Sequence, residues 1–186
     1  MKKLFIVCSL VVALIGFMAF NAGATSIFGA ISLSGNTIFD NTNLNLATMF
    51  TAFNGVTVAS VDGDYSPITP GTPATFSLFT FRPPAASVIP LWTLDFDGNT
   101  YSLDATSVGI AYSDPRNIVL EGSGVAHITG KDDTNGAWSI SANNAGQTFS
   151  FSSSSSVSGV PEPGTMLLLG SGMVGMAPFI RRKFKK

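Results

Sequence analysis

Between Ser26 and Phe151 the hydrophobic positions recur every second residue in short runs, and Gly, Asn, Asp or Pro ends each run. That period puts alternate side chains on opposite faces of a β-strand, and nothing in this region sustains the 3.6-residue period of an amphipathic helix. Ile27, Ile31 and Leu33 fall at even spacings ahead of Gly35 and Asn36, and Val56 and Val58 repeat the spacing before Asp62-Gly63-Asp64. Ser66 to Pro73 holds three prolines, which cannot donate to a central ladder, so an edge or a crossing is expected there. Thr75 to Phe81 places Phe76 and Leu78 on one face and Phe79 and Phe81 on the other, predicting a strand buried on both sides.

The clearest hairpin follows. Trp92, Leu94 and Phe96 alternate with Thr93, Asp95 and Asp97, Gly98 and Asn99 turn the chain, and Tyr101, Leu103 and Ala105 alternate back. Ile118 and Leu120 begin another strand, Ala126 and Ile128 continue after Gly122 and Gly124, and a polar turn over 132–136 leads into Trp138 and Ile140. Phe149 and Phe151 form the last run. Turn signals recur about every ten residues, as in antiparallel sandwiches and barrels. The expected fold is all-β, an antiparallel β-sandwich or jelly-roll-like domain over residues 25–151; alternation alone does not separate these from a small barrel. Residues 152–159 are almost wholly serine, a composition expected of an extended spacer.

Two stretches break the pattern. Leu4 to Phe20 is an apolar run preceded by Lys2 and Lys3 and followed by Ala22, Gly23 and Ala24. These are the three parts of a secretory signal, predicting a signal peptide over 1–24 and a mature start at Thr25. Residues 165–180 form the second run, about 24 Å as a helix and slightly short of a bilayer core of about 30 Å. Gly170, Gly172, Gly175 and Pro178 interrupt it, which membranes tolerate better than water does. Arg181, Arg182, Lys183, Lys185 and Lys186 follow at once. The positive-inside rule keeps this tail cytoplasmic and the rest outside, so a C-terminal transmembrane helix is expected.

Charge sharpens the division. The net charge of −1 averages two basic ends with an acidic middle, where only Arg82, Arg116 and Lys131 oppose ten carboxylates. Such a domain repels nucleic acid, so none is expected as a partner. The one cysteine, Cys8, lies in the first apolar run, leaving the expected mature domain without a disulfide or a thiol nucleophile.

Pro161, Glu162, Pro163 and Gly164, then the Gly-containing span and the terminal basic cluster, resemble the PEP-CTERM sorting signal of secreted proteins in Gram-negative bacteria. The resemblance covers residues 160–186. It implies an exosortase-type membrane enzyme as partner, recognition through Pro161, Glu162 and Pro163, and cleavage at or near them. It also implies export, an inner-membrane tethered intermediate, delivery to the cell surface or extracellular matrix, and extracellular polysaccharide as an associate. Two prolines deny the segment helical structure, consistent with an accessible recognition element.

The middle of the chain offers little catalytic chemistry. His127 is the only histidine, so neither a multi-histidine metal centre nor a thiol–histidine pair can be assembled, and Gly-x-Ser-x-Gly is absent there. No catalytic residue, enzyme activity or cofactor is expected. Asp95, Asp97 and Asn99 resemble half of a calcium loop, but the glycine and glutamate that complete an EF-hand are missing, so a hairpin turn is the preferred reading. A structural or adhesive role is expected. The alternative is a carbohydrate-binding module or hydrolase using exposed Trp92 and Trp138 with carboxylates such as Asp95 and Asp97, but both tryptophans alternate with polar residues, which favours core positions for them.

Overall fold

In the computed structural model, which describes residues 24–155, period-two alternation becomes nine strands: β1 (Gly29–Phe39), β2 (Phe50–Val61), β3 (Thr75–Phe76), β4 (Val88–Phe96), β5 (Asn99–Ala105), β6 (Gly109–Ser113), β7 (Asn117–Ile128), β8 (Thr134–Asn143) and β9 (Thr148–Ser155). All named pairings are antiparallel, in the order β2-β1-β9-β8-β7-β5-β4-β3. β5 and β6 pair with successive parts of the same edge of β7, at Gly124–Ile128 and Ile118–Glu121, and act as one interrupted strand. The remaining expected segments, the signal peptide up to residue 23, the spacer beyond residue 155 and the sorting signal over 160–186, lie outside the described residues.

The all-β, antiparallel expectation holds, but the strands form one coiled sheet nearly closed into a barrel instead of two stacked layers. Residues 71–81 run back along the free edge of β2, where Gly71 N–H donates to Val58 O (2.8 Å), Ala74 N–H to Val56 O (3.0 Å) and Phe50 N–H to Phe79 O (3.2 Å). Apart from β5 and β6, which share one edge of β7, every strand thus neighbours those adjacent in sequence, and β9 pairs with β1 through eight residues, from Gly29↔Ser155 to Asn36↔Thr148. Bulges supply the curvature that alternation cannot reveal. One lies opposite Gly35, where β1 was expected to turn; β1 instead continues to Phe39, with the extra residue on β2 beside Gly55 at φ 57°. A Cβ on Gly35 would press on Asn54 O, Val56 Cα and the Phe149 ring at 3.0–3.1 Å, so glycine admits the close approach of three strands.

A barrel of about eight strands is just wide enough for side chains to fill it. Here the filling is aromatic. The Phe50 ring lies 4.8–5.2 Å from the rings of Phe39, Phe53, Phe79 and Phe81, and Phe76 meets Phe149 and Phe151 edge-on at 5.3 and 5.4 Å. Trp92 is fully buried against Phe151. The 40–49 loop closes one end with Leu44 and Ala47, held by Arg82, whose guanidinium donates to the carbonyls of Leu44, Asn45 and Ala47 at 2.6–3.0 Å. The other end is closed by a 3₁₀ turn, Gly63–Tyr65, which buries Tyr65, followed by buried Ile68.

Two local expectations change. Thr75–Phe81 is not buried on both sides: β3 ends at Phe76, Leu78 is 53% exposed, and Phe76, Phe79 and Phe81 are the buried positions. The irregularity at Ser77 and Leu78 shifts the alternation, and Ser77 bonds to the carbonyls of Pro90 and Leu91 around a bulge in β4. Ser152–Ser155, expected in the spacer, complete β9 as a central strand between β1 and β8. Serine is accepted there because neighbouring ladders satisfy its backbone on both sides, while Ser153 and Ser155 are small enough to point inward. As expected, Asn117–Ile128 is one continuous strand across Gly122 and Gly124. A Cβ at Gly122 would collide with the Ser107 carbonyl and lie 2.8 Å from the Trp138 ring, which occupies that space.

Candidate functional site

The first and last strands of the described chain run side by side. Gly29, the first residue of β1, pairs with Ser155, the last of β9, and Gly136 of β8 flanks Ser155 on its other side. The entering segment is clasped: Ile27 N–H donates to Thr134 Oγ1 (2.8 Å) and Phe28 N–H to Asp64 Oδ2 (2.8 Å). Lys131 Nζ reaches both Asp64 Oδ1 (2.9 Å) and Thr25 Oγ1 (3.2 Å). Partial burial pushes the Asp64 carboxyl up, but the Phe28 N–H and the Lys131 ammonium outweigh it and leave its pKa lowered. Of the residues expected at a signal cleavage point, Ala24 and Thr25 are exposed at this end, and Ala22 lies outside the described residues. We call this the exit end; it carries the 62–65 turn, the 129–133 turn and Ser155.

His127 sits on the outer face of β7 near the exit end, between two carboxylates that no sequence spacing brings together. Its Nδ1 is 2.7 Å from Asp133 Oδ1 in the β7–β8 turn, and its Nε2 is 3.2 Å from Asp104 Oδ2 on β5. The second contact is at ion-pairing distance but off the line of a hydrogen bond. With one carboxylate on each ring nitrogen, the imidazole lies between them, and among the described residues no group of three His, Cys, Asp or Glu side chains is arranged to hold a metal ion. The arrangement ties β5, β7 and the β7–β8 turn together on the sheet surface.

Asp95, Asp97 and Asn99 are placed by the β4–β5 hairpin. Asp97 and Gly98 take φ of 50° and 76° between the paired residues Phe96 and Asn99, the two-residue turn that Asp-Gly favours. The turn is one residue earlier than the alternation suggests. Asp95 Oδ1 accepts from Thr100 Oγ1 at 2.6 Å across the hairpin. Trp92 and Trp138 are 0% and 3% exposed, so neither offers an aromatic platform to a glycan; Trp138 Nε1 donates to Ser123 O at 3.0 Å.

A concavity of about 560 Å³ is an open groove on the outside of β1, β9, β8 and β7. Ala30, Ser154, Ala137 and Ser123 lie in one row across these strands, with Ser152 and Ser139 in the next. It is shallow because the side chains of these two rows are small, and Glu121 is the charged residue on its rim.

The expected sorting residues Pro161, Glu162, Pro163 and Gly164, and the tail Arg181, Arg182, Lys183, Lys185 and Lys186, lie outside the described residues. For them the comparison with known families is informative: the family model for the PEP-CTERM protein-sorting motif matches residues 159–183. No curated protein and no solved structure matches the chain.

Proposed function

Because the chain carries a PEP-CTERM protein-sorting motif, we propose that it is an exported cargo: a nearly closed β-barrel, tethered through residues 165–180 and processed by an exosortase-type enzyme at or near Pro161-Glu162-Pro163. The processed barrel then serves at the cell surface or in the extracellular matrix as a structural or adhesive component associated with exopolysaccharide. The motif match carries the sorting half of this reading. The barrel supports the other half indirectly, since its interior is filled by aromatic side chains and its outer wall is a broad, small-residue surface suited to contact by area.

Replacing Pro161, Glu162 and Pro163 together by alanine tests the sorting half. The expected outcome is a full-length product retained with the membrane in cells that possess the processing enzyme, where the unaltered chain is shortened and leaves the membrane fraction. Processing that continues unchanged in the triple variant would overturn it. Surface retention on cells lacking extracellular polysaccharide tests the adhesive half; unaltered retention removes the polysaccharide association.

A further inference from the structure

We infer that β6 is an open edge at which two copies of the chain pair, strand to strand, as a reversible two-fold dimer. This pairing is independent of how the chain is sorted.

The edge arises from a break in the wall. β5 is bonded to β7 on one side and to β4 on the other, but β6, which continues along the same edge of β7, pairs with β7 alone among the described residues. Beyond β6, where a continuation of β4 would complete the ladder, the chain reads Arg82-Pro83-Pro84-Ala85-Ala86-Ser87. The two prolines have no N–H to give. Arg82 N–H donates to Thr48 O and Ala85 N–H to Thr80 O, and no backbone hydrogen bond joins this segment to β6. Alternate residues of an antiparallel strand turn their N–H and C=O away from the partner, so β6 offers such groups to a further strand. The free edge of β2, by contrast, is covered by residues 71–81.

Unpaired edges are commonly guarded by charge or proline. Gly109-Ile110-Ala111-Tyr112-Ser113 has neither, Ala111 and Tyr112 are exposed, and the flank is apolar. The hydroxyl of Tyr112 donates to Asp114 Oδ2 at 2.9 Å, which anchors a half-exposed ring on the edge strand. Exposed Leu46 adjoins Asn45, whose Oδ1 accepts from Ser113 Oγ at 2.9 Å. Exposed Leu78 and Ile89 belong to the adjoining stretch of wall, where Ser77 Oγ donates to Pro90 O at 2.6 Å. Four of the six large hydrophobic side chains exposed among the described residues therefore lie on this side, as an interaction surface requires.

Charge selects the occupant. The acidic middle of the chain sets ten carboxylates against Arg82, Arg116 and Lys131, so copies repel one another over most of their surface. At β6 they do not. The strand is uncharged, Asp114 and Arg116 at its end offset each other, and Glu121 stands one strand back on β7. A two-fold axis beside Ala111 sets β6 antiparallel to its counterpart and uses the open edge of both copies, so the assembly closes at two. The shortness of β6 and the bulge between Ile110 and Tyr112 limit how far the pairing extends. Five residues span about 17 Å and, with their flanking side chains, bury about 400–500 Å² per copy, the low end for a specific contact and the reason the pair is reversible.

The test uses the full chain in mild detergent with Cys8→Ser, so that an introduced thiol is the only one, under a mild oxidant. Ala111→Cys, beside the axis, is expected to give a disulfide-linked species of twice the mass. Ala137→Cys, exposed on the outer face of β8, is expected to give at most about a tenth of that yield. Adding Leu46→Glu to Ala111→Cys brings like charges together across the contact and is expected to cut the linked species about tenfold. Equal yields from the two thiols, or a yield that Leu46→Glu leaves unchanged, overturn the pairing. So does the absence of a linked species from an Ala111→Cys chain whose barrel still resists protease, since something other than a second copy then covers the edge. Sedimentation of the unaltered chain reads the pair without any substitution. Dilution from about 100 to about 1 μM is expected to carry it from two copies to one, and a single copy at every concentration overturns the inference.

Discussion

Two walls of the same barrel are built by different means. The wall of β1, β9, β8 and β7 is regular: the β7–β8 ladder pairs ten consecutive residues without a bulge, and the outer positions of β1, β9 and β8 are mostly serine and alanine. The opposite wall, where β2 meets residues 71–81, carries three prolines over 66–73, an interrupted strand and a patchwork of backbone bonds, yet it collects Phe39, Phe50, Phe53, Phe76, Phe79 and Phe81. Where the backbone ladder is continuous, side chains outside can be almost anything small. Where it is broken, aromatic packing holds the edges together.

The contrast can be broken most severely at Phe50, the ring shared by four other aromatics at the seam. Phe50→Ala is expected to lower unfolding stability by about 3–5 kcal/mol, measured by denaturant titration; a loss under about 1 kcal/mol would show that backbone bonds alone close the barrel.

Gly122→Ala probes the regular wall from inside. The new Cβ meets the Ser107 carbonyl and the Trp138 ring, and overpacking of this kind costs about 1–3 kcal/mol. Trp138 fluorescence should shift with it, and an unshifted spectrum at full stability would contradict the close packing across β7 and β8.

Acid separates the walls from the loop end. The Arg116 N–H, the Asn117 side chain, the Tyr112 hydroxyl and the Asn117 N–H hold Asp114 down to about 2 from an ordinary 3.8. Burial pushes Asp40 up, but donors from Thr48 and Met49 outweigh it and leave it lowered. Both carboxyls have folded pKa values below their unfolded ones, so their contribution is fully present above about pH 4 and is lost as pH falls toward 2. The melting temperature should fall across that window, and Asp114→Asn should flatten the slope. An equally steep slope in that variant would mean that other carboxylates dominate.

The smallest effect is expected on the outer serines. Ser152→Thr leaves the β9 ladder intact and should change stability by about 0.5 kcal/mol or less; a larger change would show that this face is packed against something.

Much of the fold is legible along the chain. The β4–β5 hairpin, the paired alternation of β7 and β8 and the burial of both tryptophans follow from period two and turn residues, which act over a few positions. Ser152–Ser155 are not legible, because serine has little strand preference of its own and becomes strand only when β1 and β8 are already beside it. The Asp104–His127–Asp133 cluster is hidden for the same reason: its members come from two strands and a turn, and only register aligns them. The two-sided burial expected for Thr75–Phe81 fails because one irregularity at Ser77 and Leu78 changes which face every later residue takes.

Residue order alone therefore specifies what is local or linear: strand-forming alternation, an acidic cysteine-free domain between basic ends, and a sorting motif, which family comparison detects within residues 159–183. Tertiary structure decided which edges meet. Twist and bulges curl the sheet until its β2 edge meets residues 71–81, and the pairing of β9 with β1, which no short window of residues encodes, puts both ends of the described chain at one end of the barrel.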